Sequence, residues 1–243
     1  MEILPGEIHV WRIRLDIGQE CRRRIYARLD AEERARAAKH YNPSAGWRFA
    51  VRRARAKEIL ASCAGGIDAG QVRFSYGPWG KPYWGSLYFN LSSSHNEAVL
   101  AVSGGCEVGI DIERMGMEKN IRGIAEFFHP GEKRDLSLLT PEELEPVFHT
   151  MWVRKEAVMK GGGRGLGAGL DRVVTSGRED IRSVHVLDSD GLCVSRWWSP
   201  AFFLEGCAMA LAVPKNAGTK HIVWHSWGGS FMNRPDCRRE TLM

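Results

Sequence analysis

Two carboxylates placed two residues apart are the first feature of this 243-residue chain that suggests chemistry. The segment Glu107–Glu113 alternates apolar and acidic residues, which predicts a strand with Asp111 and Glu113 on one face. Carboxylates at this spacing lie roughly 7 Å apart and can share one hard cation. Mg²⁺ suits them because it takes one or two carboxylates, keeps waters and binds substrate phosphate. A strand with a solvated acidic face fits the same segment.

A second segment, Met151–Lys160, brings acidic and basic side chains to one stripe of a predicted helix. Trp152, Glu156 and Lys160 recur at a spacing of four, with Lys155 beside them. Glu156 would be a third carboxylate ligand, while the two lysines would neutralise the phosphate charge that a metal leaves uncompensated. The ordinary alternative is an exposed Glu–Lys pair, which stabilises a helix by only ~0.3–0.5 kcal/mol.

Positive charge is concentrated near the start of the chain. The formal net charge is +5, and the segment Trp11–Glu58 contains fourteen Arg and Lys residues against six Asp and Glu residues. Such a block indicates an anionic partner, either nucleic acid, a phosphorylated cofactor or an acidic protein. A solvated helix face is the usual alternative, although the abundance of arginine favours phosphate contact.

The composition predicts a globular protein of the cytoplasm. Hydrophobic residues make up 44% and charged residues 26% of the chain, and none of the six cysteines forms a C-x-x-C pair. No apolar run reaches the about 20 residues of a membrane-spanning helix, and the first residues lack a signal-peptide core. We therefore expect a reduced, cytoplasmic protein without a membrane partner.

The predicted elements form two similar series of a strand, helices and further strands, which indicates an α+β fold. Capping signals at Asp30, at Asn42-Pro43 and at Thr140-Pro141 begin helices, and the last two of these helices are long. Strands are expected at Ile3–Leu15, Gln71–Ser75, Leu87–Asn90, Ala98–Val102, Asp171–Thr175, Ser183–Leu187, Trp197–Phe203 and Cys207–Val213, with a turn at Ser92–Asn96. We predict two α+β halves packed as a pseudo-dimer, residues 1–108 and 109–213, followed by an irregular tail, 214–243.

The two chemical segments together resemble a known family. Gly109–Glu113, followed about forty residues later by Trp152–Ala157 and Lys160, resembles the 4′-phosphopantetheinyl transferase superfamily of the surfactin-synthetase (Sfp) type. Further matching pieces are Gly80-Lys81-Pro82, Phe89–Ser92, Phe127-Phe128 with Glu132 downstream, and Gly163–Leu166. The resemblance implies a pseudo-two-fold pair of halves with the active site at their interface. It also implies a monomeric, Mg²⁺-dependent enzyme that moves the phosphopantetheine arm of coenzyme A to a serine of a small, acidic apo carrier protein and releases 3′,5′-ADP.

The resemblance also implies roles for individual residues. The metal ligands would be Asp111, Glu113 and Glu156, and the catalytic residues Glu156 and Lys160, with Glu156 accepting the serine proton directly or through a water. The contacts to coenzyme A would come from Arg48, Lys81, Ser92, Ser93, His95, Lys155 and Lys160.

One position departs from the family pattern. Where the family has Asn-hydrophobe-Ser-His-Ser, with its histidine near the 3′-phosphate of coenzyme A, this chain has Ser93 in the place of the histidine. Either His95 reaches that phosphate from two positions later, or Ser93 donates a neutral hydrogen bond. We expect a reduced preference for coenzyme A over dephospho-coenzyme A.

Two other function classes stay open at this point. One is a protein that binds coenzyme A and a carrier but transfers poorly. The other is a basic nucleic-acid binder or Mg²⁺ nuclease, which explains the charge and the carboxylates but neither Gly80-Lys81-Pro82 nor the spacing of Lys155, Glu156 and Lys160. The resemblance therefore favours a protein without a nucleic-acid partner, and the sequence leaves the pathway of the carrier open.

Overall fold

The computed structural model of the chain describes residues 1–118, 120–163, 169–178, 180, 182–218, 220–227 and 237–242. The helices are α1 (Arg22–Arg28), α2 (Ala31–Ala38), α3 (Pro43–Cys63), α4 (Ile121–Ala125), α5 (Pro130–Ser137) and α6 (Pro141–Gly161). The strands are β1 (Glu7–Arg14), β2 (Ser75–Tyr76), β3 (Pro82–Tyr83), β4 (Tyr88–Ser94), β5 (Glu97–Ser103), β6 (Gly109–Arg114), β7 (Val173–Val174), β8 (Ser183–Leu187), β9 (Cys193–Trp198), β10 (Ala201–Leu204), β11 (Cys207–Pro214), β12 (Lys220–Trp227) and β13 (Cys237–Leu242).

These elements belong to two compact units, each of which combines helices with a sheet. The first unit contains 1–75, 82–105 and the described residues from 220 onward, and the second contains 76–81 together with the described part of 106–218. The predicted α+β class is confirmed. Within the described residues no helix is both long and apolar enough to cross a membrane.

The sheet of the first unit has the strand order β13-β12-β1-β5-β4, with β1 and β12 parallel and the other neighbours antiparallel. The expectation of an irregular tail beyond Pro214 is therefore wrong. In β12, Ile222, Val223 and His225 are all buried, so the strand shows no alternation of apolar and polar residues. Its partner β1 lies more than 200 residues earlier, and no local turn marks the pairing.

The helices α2 and α3 begin as their caps predict. Asp30 and Glu33 form a reciprocal capping box, and the Asn42 side chain accepts a hydrogen bond from the Ser44 amide ahead of a proline at the first helical position. The missed helix α1 begins at Arg22, and the side chain of its N-cap residue, Cys21, makes no capping bond. Helix α1 thus lacks the sequence signal from which the other two could be predicted.

The hairpin of β4 and β5 differs from the prediction in its turn. Strand β4 continues through Ser92 and Ser93 to Ser94, and only His95 and Asn96 connect it to β5. His95 has φ +55°, in the left-handed region that a two-residue hairpin connection favours. The predicted turn therefore began too early, and Ser93 is a strand residue.

In the second unit, α6 packs against β6 and β11. The sheet has the strand order β10-β11-β9-β8-β7, and β6 is antiparallel to β11. The single strand expected at Trp197–Phe203 is two strands, β9 and β10, separated at Ser199-Pro200. The predicted strand Asp171–Thr175 is reduced to β7, and Gln71–Ser75 contributes only Ser75 to a strand.

Helix α6 begins with the predicted capping box of Thr140 and Glu143 and remains one helix through Pro146 to Gly161. At its C-terminal end it lies very close to β6. A Cβ atom on Gly109 would lie 1.8 Å from the carbonyl oxygen of Ala157 and 2.6 Å from the Gly161 nitrogen. Only glycine permits this approach, which sets the distance between the strand and the helix.

Candidate functional site

The predicted carboxylates lie on the face of β6 that packs against α6. Gly109, Asp111 and Glu113 alternate along the strand and therefore share a face. Because Gly109 touches the backbone of α6 near Ala157, that shared face is the one directed at the helix. On the neighbouring strand β11, the residues paired with Asp111 and Glu113 are both alanines, which leave room for larger side chains.

Helix α6 presents Glu156 and Lys160, one turn apart, to this face. Lys160 Nζ donates a hydrogen bond to Asp111 Oδ1 over 2.5 Å. The Asp111 side chain is fully buried, whereas 31% of the Lys160 side chain is exposed. A buried carboxylate is therefore neutralised by an ammonium group that solvent can still reach.

The pKa of the Glu156 carboxyl group is raised. Burial is the largest cause, the charges of Asp111 and Glu113 add to it, Lys160 opposes it, and together they bring the pKa to about 7. The three carboxyl groups therefore interact electrostatically. Among the charges that shift the pKa of Glu156, the Lys160 ammonium is the one that opposes their repulsion. A carboxyl group in such surroundings gains free energy from binding either a proton or a cation.

The donor set fits a hard divalent cation. Oxygen ligands from carboxylates are what Mg²⁺ prefers, and Mg²⁺ needs only one or two of them beside water and substrate phosphate. In the described part of the chain, no three His, Cys, Asp or Glu side chains already form a metal-holding group. The charges of Asp111 and Glu113 are near enough to raise the pKa of Glu156, and Lys160 forms a hydrogen bond with Asp111.

Lys81, from the Gly-Lys-Pro loop, lies in the same unit at the C-terminal end of α6. Its Nζ donates to the carbonyl oxygen of Gly161 over 2.7 Å and forms an ion pair with Glu107. A cation is stabilised at the C-terminus of a helix by the unpaired carbonyls and the helix dipole. Lys81 therefore ties its loop both to α6 and to the residues that precede β6.

Lys155 has partners different from the expected phosphate. Its side chain is fully buried, and Nζ donates to Glu132 Oε2 over 2.6 Å, to the Leu170 carbonyl over 2.8 Å and to the Val173 carbonyl. An ammonium group has three donors, and these three acceptors use all of them. Burial lowers the pKa of Lys155, and Glu132 opposes that shift. In this geometry Lys155 links α6 to Glu132 and to the segment Leu170–Val173.

Glu132 is the acceptor that organises this link. Besides Lys155, its carboxylate accepts from the Thr175 amide over 2.7 Å and from the His129 amide over 3.0 Å, which caps α5. The sequence pointed to Glu132 only through the family resemblance, because its contact with Lys155 spans 23 residues. The position of α6 is thereby fixed to α5 and to β7.

The predicted ligands of the first unit lie on α3 and on the β4–β5 hairpin. Arg48 Nη1 donates to Asn96 Oδ1 over 3.5 Å, Ser92 is buried within β4, and His95 is exposed at the tip of the hairpin. Ser93 Oγ accepts a 2.6 Å hydrogen bond from Arg52 Nη1. Arg52 was not singled out from the sequence, because nothing distinguishes it from the other arginines of its helix.

The described residues do not include all of the motif pieces. Of the predicted Gly163–Leu166 match, only Gly163 is described, and Arg164, Gly165 and Leu166 lie outside the described residues. Helix α6 ends at Gly161, the first of three consecutive glycines.

Comparison with known proteins identifies the family. The family model described as the 4′-phosphopantetheinyl transferase superfamily matches residues 107–199, a range that contains both β6 and α6. The 4′-phosphopantetheinyl transferase HetI of a Nostoc species is 35% identical over 173 residues, which are 68% of this chain and 73% of that protein. A 4′-phosphopantetheinyl transferase of Bacillus subtilis is 32% identical over 186 residues, which are 75% of this chain and 81% of that protein. A second Bacillus subtilis relative, 4′-phosphopantetheinyl transferase ffp, is 27% identical over 208 residues, 82% of this chain and 91% of the relative.

The family model matches a range within the second unit, and the relatives cover more of the chain than either unit contains. The matched range contains both Gly109–Glu113 and Trp152–Lys160, which carry the resemblance. The chain therefore belongs to the 4′-phosphopantetheinyl transferase superfamily and is an enzyme of that class.

Proposed function

We propose that this enzyme transfers the 4′-phosphopantetheine group of coenzyme A to a serine of a small, acidic apo carrier protein, requires Mg²⁺ and releases 3′,5′-ADP. The proposal is carried by the group of charged side chains on β6 and α6. The charges of Asp111, Glu113 and Lys160 all shift the pKa of Glu156. The family membership supplies the reaction class, and the charges suit a substrate with a pyrophosphate.

Asp111, Glu113 and Glu156 are the proposed Mg²⁺ ligands. When bound there, Mg²⁺ would neutralise negative charge on the pyrophosphate of coenzyme A. The unfavourable repulsion among the three carboxylates, expressed in the raised pKa of Glu156, is what a cation would relieve. Lys160 opposes part of the same repulsion through its contact with Asp111.

Glu156 is the proposed acceptor of the serine proton, either directly or through a water. In the reaction the serine Oγ forms a bond to the β-phosphorus, the bond from that phosphorus to the bridging oxygen breaks, and 3′,5′-ADP leaves with the bonding electrons. A bound Mg²⁺ would lower the pKa of about 7 that burial and the neighbouring carboxylates give Glu156, and would so keep the carboxylate ionised, as a proton acceptor must be. Lys160 is the proposed neutralising group for the transferred phosphate, because its ammonium is partly exposed.

Lys81 and Lys155 have different roles in the proposal. The partly exposed ammonium of Lys81 is placed where it can exchange Glu107 for a ligand phosphate while keeping its bond to the Gly161 carbonyl. Lys155 orients α6 through Glu132, so its contribution to coenzyme A binding is indirect.

Arg48, Ser92, Ser93 and His95 are the proposed contacts to coenzyme A from the first unit. The sequence resemblance implies two similar halves with the active site at their interface, and that arrangement is part of the proposal. We also propose, on the same resemblance, that the enzyme acts as a monomer in the cytoplasm. The sedimentation coefficient of the purified protein tests whether it is a monomer.

The basic segment Trp11–Glu58 supports an acidic carrier protein as the acceptor. Attraction between opposite charges raises the encounter rate and is screened by salt. We expect the association rate with an apo acyl or peptidyl carrier protein to fall when salt is added. A rate that stays constant between low and high ionic strength would argue against electrostatic recognition of the carrier.

The decisive test is incubation with coenzyme A, Mg²⁺ and apo carrier proteins from fatty-acid, polyketide and peptide synthesis, followed by mass spectrometry. A phosphopantetheine mass added to a carrier, dependent on Mg²⁺ and on its acceptor serine, is the expected result. Binding of coenzyme A without any transfer would instead identify a binding protein that has lost catalysis.

A further inference from the structure

Strand β10 carries an exposed phenylalanine in line with one of the proposed metal ligands. In the sheet of the second unit, Glu113 of β6 pairs with Ala208 of β11, and Ala208 pairs with Phe203 of β10. Directly paired residues of antiparallel strands have their side chains on the same face. Because neighbouring strands are about 4.8 Å apart, Phe203 lies roughly 10 Å from Glu113, with only the methyl group of Ala208 between them.

This face of the sheet is covered by α6 in one part and open to solvent in another. Ala208 belongs to a core cluster with Val153 of α6, so the face is directed at the helix. Along β6, Asp111 is fully buried but Glu113 is only half-buried, and across the sheet Phe203 is 41% exposed. Glu113 and Phe203 therefore lie at the rim where solvent reaches the carboxylates.

Two further apolar side chains lie near the same carboxylates. Met115 follows β6, and its amide donates to the Gly206 carbonyl over 2.9 Å, which extends the pairing of β6 with β11. Trp152 lies one helical turn before Glu156 on α6. Met115 and Trp152 are half-buried and pack against the core cluster beneath α6. Phe203, Met115 and Trp152 together form what we call the apolar rim.

The phenylalanine is held in place by a tight hairpin. The connection between β10 and β11 has two residues, Glu205 and Gly206, whose φ angles of +42° and +80° fit a type I′ turn. Leu204 and Cys207 pair directly on either side of this turn. The turn therefore fixes the register of Phe203, so little conformational entropy is lost when a partner binds there.

We propose that the apolar rim is the docking contact for the carrier protein, and that Phe203 binds an apolar side chain next to the acceptor serine. The inference rests on the proposed function, because the carrier is the substrate whose serine must reach the phosphate near Glu113 and Glu156. A carrier whose serine enters at this place covers the surface around the carboxylates, which is where the rim lies.

The chemistry of the rim suits a protein partner. Adjacent exposed apolar side chains mark interaction surfaces, and aromatic residues often contribute most of the binding energy at such surfaces. Charge agrees with this assignment, because Arg114 at the end of β6 is exposed and the proposed carrier is acidic.

The first test measures binding without transfer. Isothermal titration calorimetry uses the carrier that the wild type modifies fastest, with its acceptor serine replaced by alanine. We expect Phe203→Ser to raise the dissociation constant roughly 5- to 30-fold, and Phe203→Leu, which stays apolar, to retain most of the affinity. The matched control is Leu192→Ser, since Leu192 is 66% exposed in the connection between β8 and β9, outside the rim; it should bind as the wild type does.

The second test measures the kinetics of transfer. In Phe203→Ser the KM for the carrier should rise by the factor seen in binding, whereas kcat and the KM for coenzyme A should stay unchanged. The unchanged values also show that the variant is folded. Because the contact is apolar, the same factor is expected at low and at high salt, although electrostatic attraction weakens with salt.

Three results would overturn the proposal: an unchanged carrier affinity in Phe203→Ser, an equal loss in Leu192→Ser, or a loss of coenzyme A affinity in Phe203→Ser. The last result would assign the rim to the pantetheine arm of coenzyme A. A wild type that modifies no carrier would refute the proposed function itself, whereas wild-type transfer that Phe203→Ser does not slow would refute this inference alone.

Discussion

The two longest helices of the chain have the same length but opposite chemistry. Helices α3 and α6 each contain 21 residues, begin with a proline behind a side-chain cap and pack within their own unit. The buried charged residues of α3 are arginines and lysines, which outnumber the acidic residues near them. On α6, by contrast, Glu156 lies close enough to Asp111 and Glu113 of β6 for their charges to affect its pKa. Helices of the same length thus carry an excess of positive charge in one unit and an excess of negative charge in the other.

The difference originates in the partner strands. Strand β4 presents the neutral hydroxyl of Ser93 to Arg52, which forms no ion pair with a carboxylate among the described residues. Strand β6 presents Asp111 and Glu113, whose charges add to that of Glu156. The chemistry of the partner strand therefore decides which sign of charge each helix leaves in excess.

The largest effect is expected when the acidic side of the comparison is removed. Asp111→Ala and Glu156→Gln should each lower the rate of phosphopantetheine transfer by ~10²–10³, roughly 3–4 kcal/mol in the activation free energy. The measurement is single-turnover modification of an apo carrier at saturating Mg²⁺. Glu142→Gln is the matched control, since this exposed residue of α6 changes the same charge away from the site; transfer by Glu156→Gln at the rate of this control would refute the role of the carboxylates.

A second prediction concerns the stability of the metal-free protein. The pKa of Glu156 is raised from 4.5 to about 7, so the folded state binds its proton more tightly than the unfolded state. This contribution is present below pH 4.5 and is lost as the pH rises through 7, a total of about 3 kcal/mol. In the presence of a chelator, Glu156→Gln should thus unfold at higher denaturant concentration than the wild type at pH 8 and lose this advantage near pH 4.5. Equal midpoints at both pH values would show that the carboxyl group is not strained by its neighbours.

A third prediction tests the contact that brings the acidic face to α6. Gly109→Ala places a Cβ atom against the Ala157 carbonyl, so the strand and helix must separate. We expect a loss of about 1–3 kcal/mol in the free energy of unfolding together with reduced transfer. Gly105→Ala is the control, because a Cβ at Gly105 meets no atom within 4 Å; equal stability of the two variants would mean that the close approach is unnecessary.

Local sequence signals sufficed for the parts of the fold that are capped or alternating. The caps at Asn42 and Thr140 located α3 and α6, and the alternation around Asp111 located β6. Strand β12 was missed because it is buried on both faces and pairs with a distant strand. Its contribution to the sheet depends on tertiary packing, which local periodicity does not encode.

The candidate site shows the same division. Residue types and spacing indicated Asp111, Glu113, Glu156 and Lys160, and the structure brings Lys160 to Asp111. Spacing could not reveal that Lys155 is held by Glu132, nor that Ser93 is held by Arg52, because both contacts join different elements. Contacts between elements decide which of several equivalent charged residues is available for a ligand.

The central claim, that the carboxylates of β6 and α6 support the transfer, is tested most directly by kcat/KM measured for coenzyme A and dephospho-coenzyme A in the wild type, Glu156→Gln and the control Glu142→Gln. We predict that Glu156→Gln lowers both values by the same factor, because Glu156 acts on the pyrophosphate that both substrates share, whereas Glu142→Gln leaves both unchanged. A Glu156→Gln variant impaired with one substrate alone, or no more impaired than Glu142→Gln, would contradict this account.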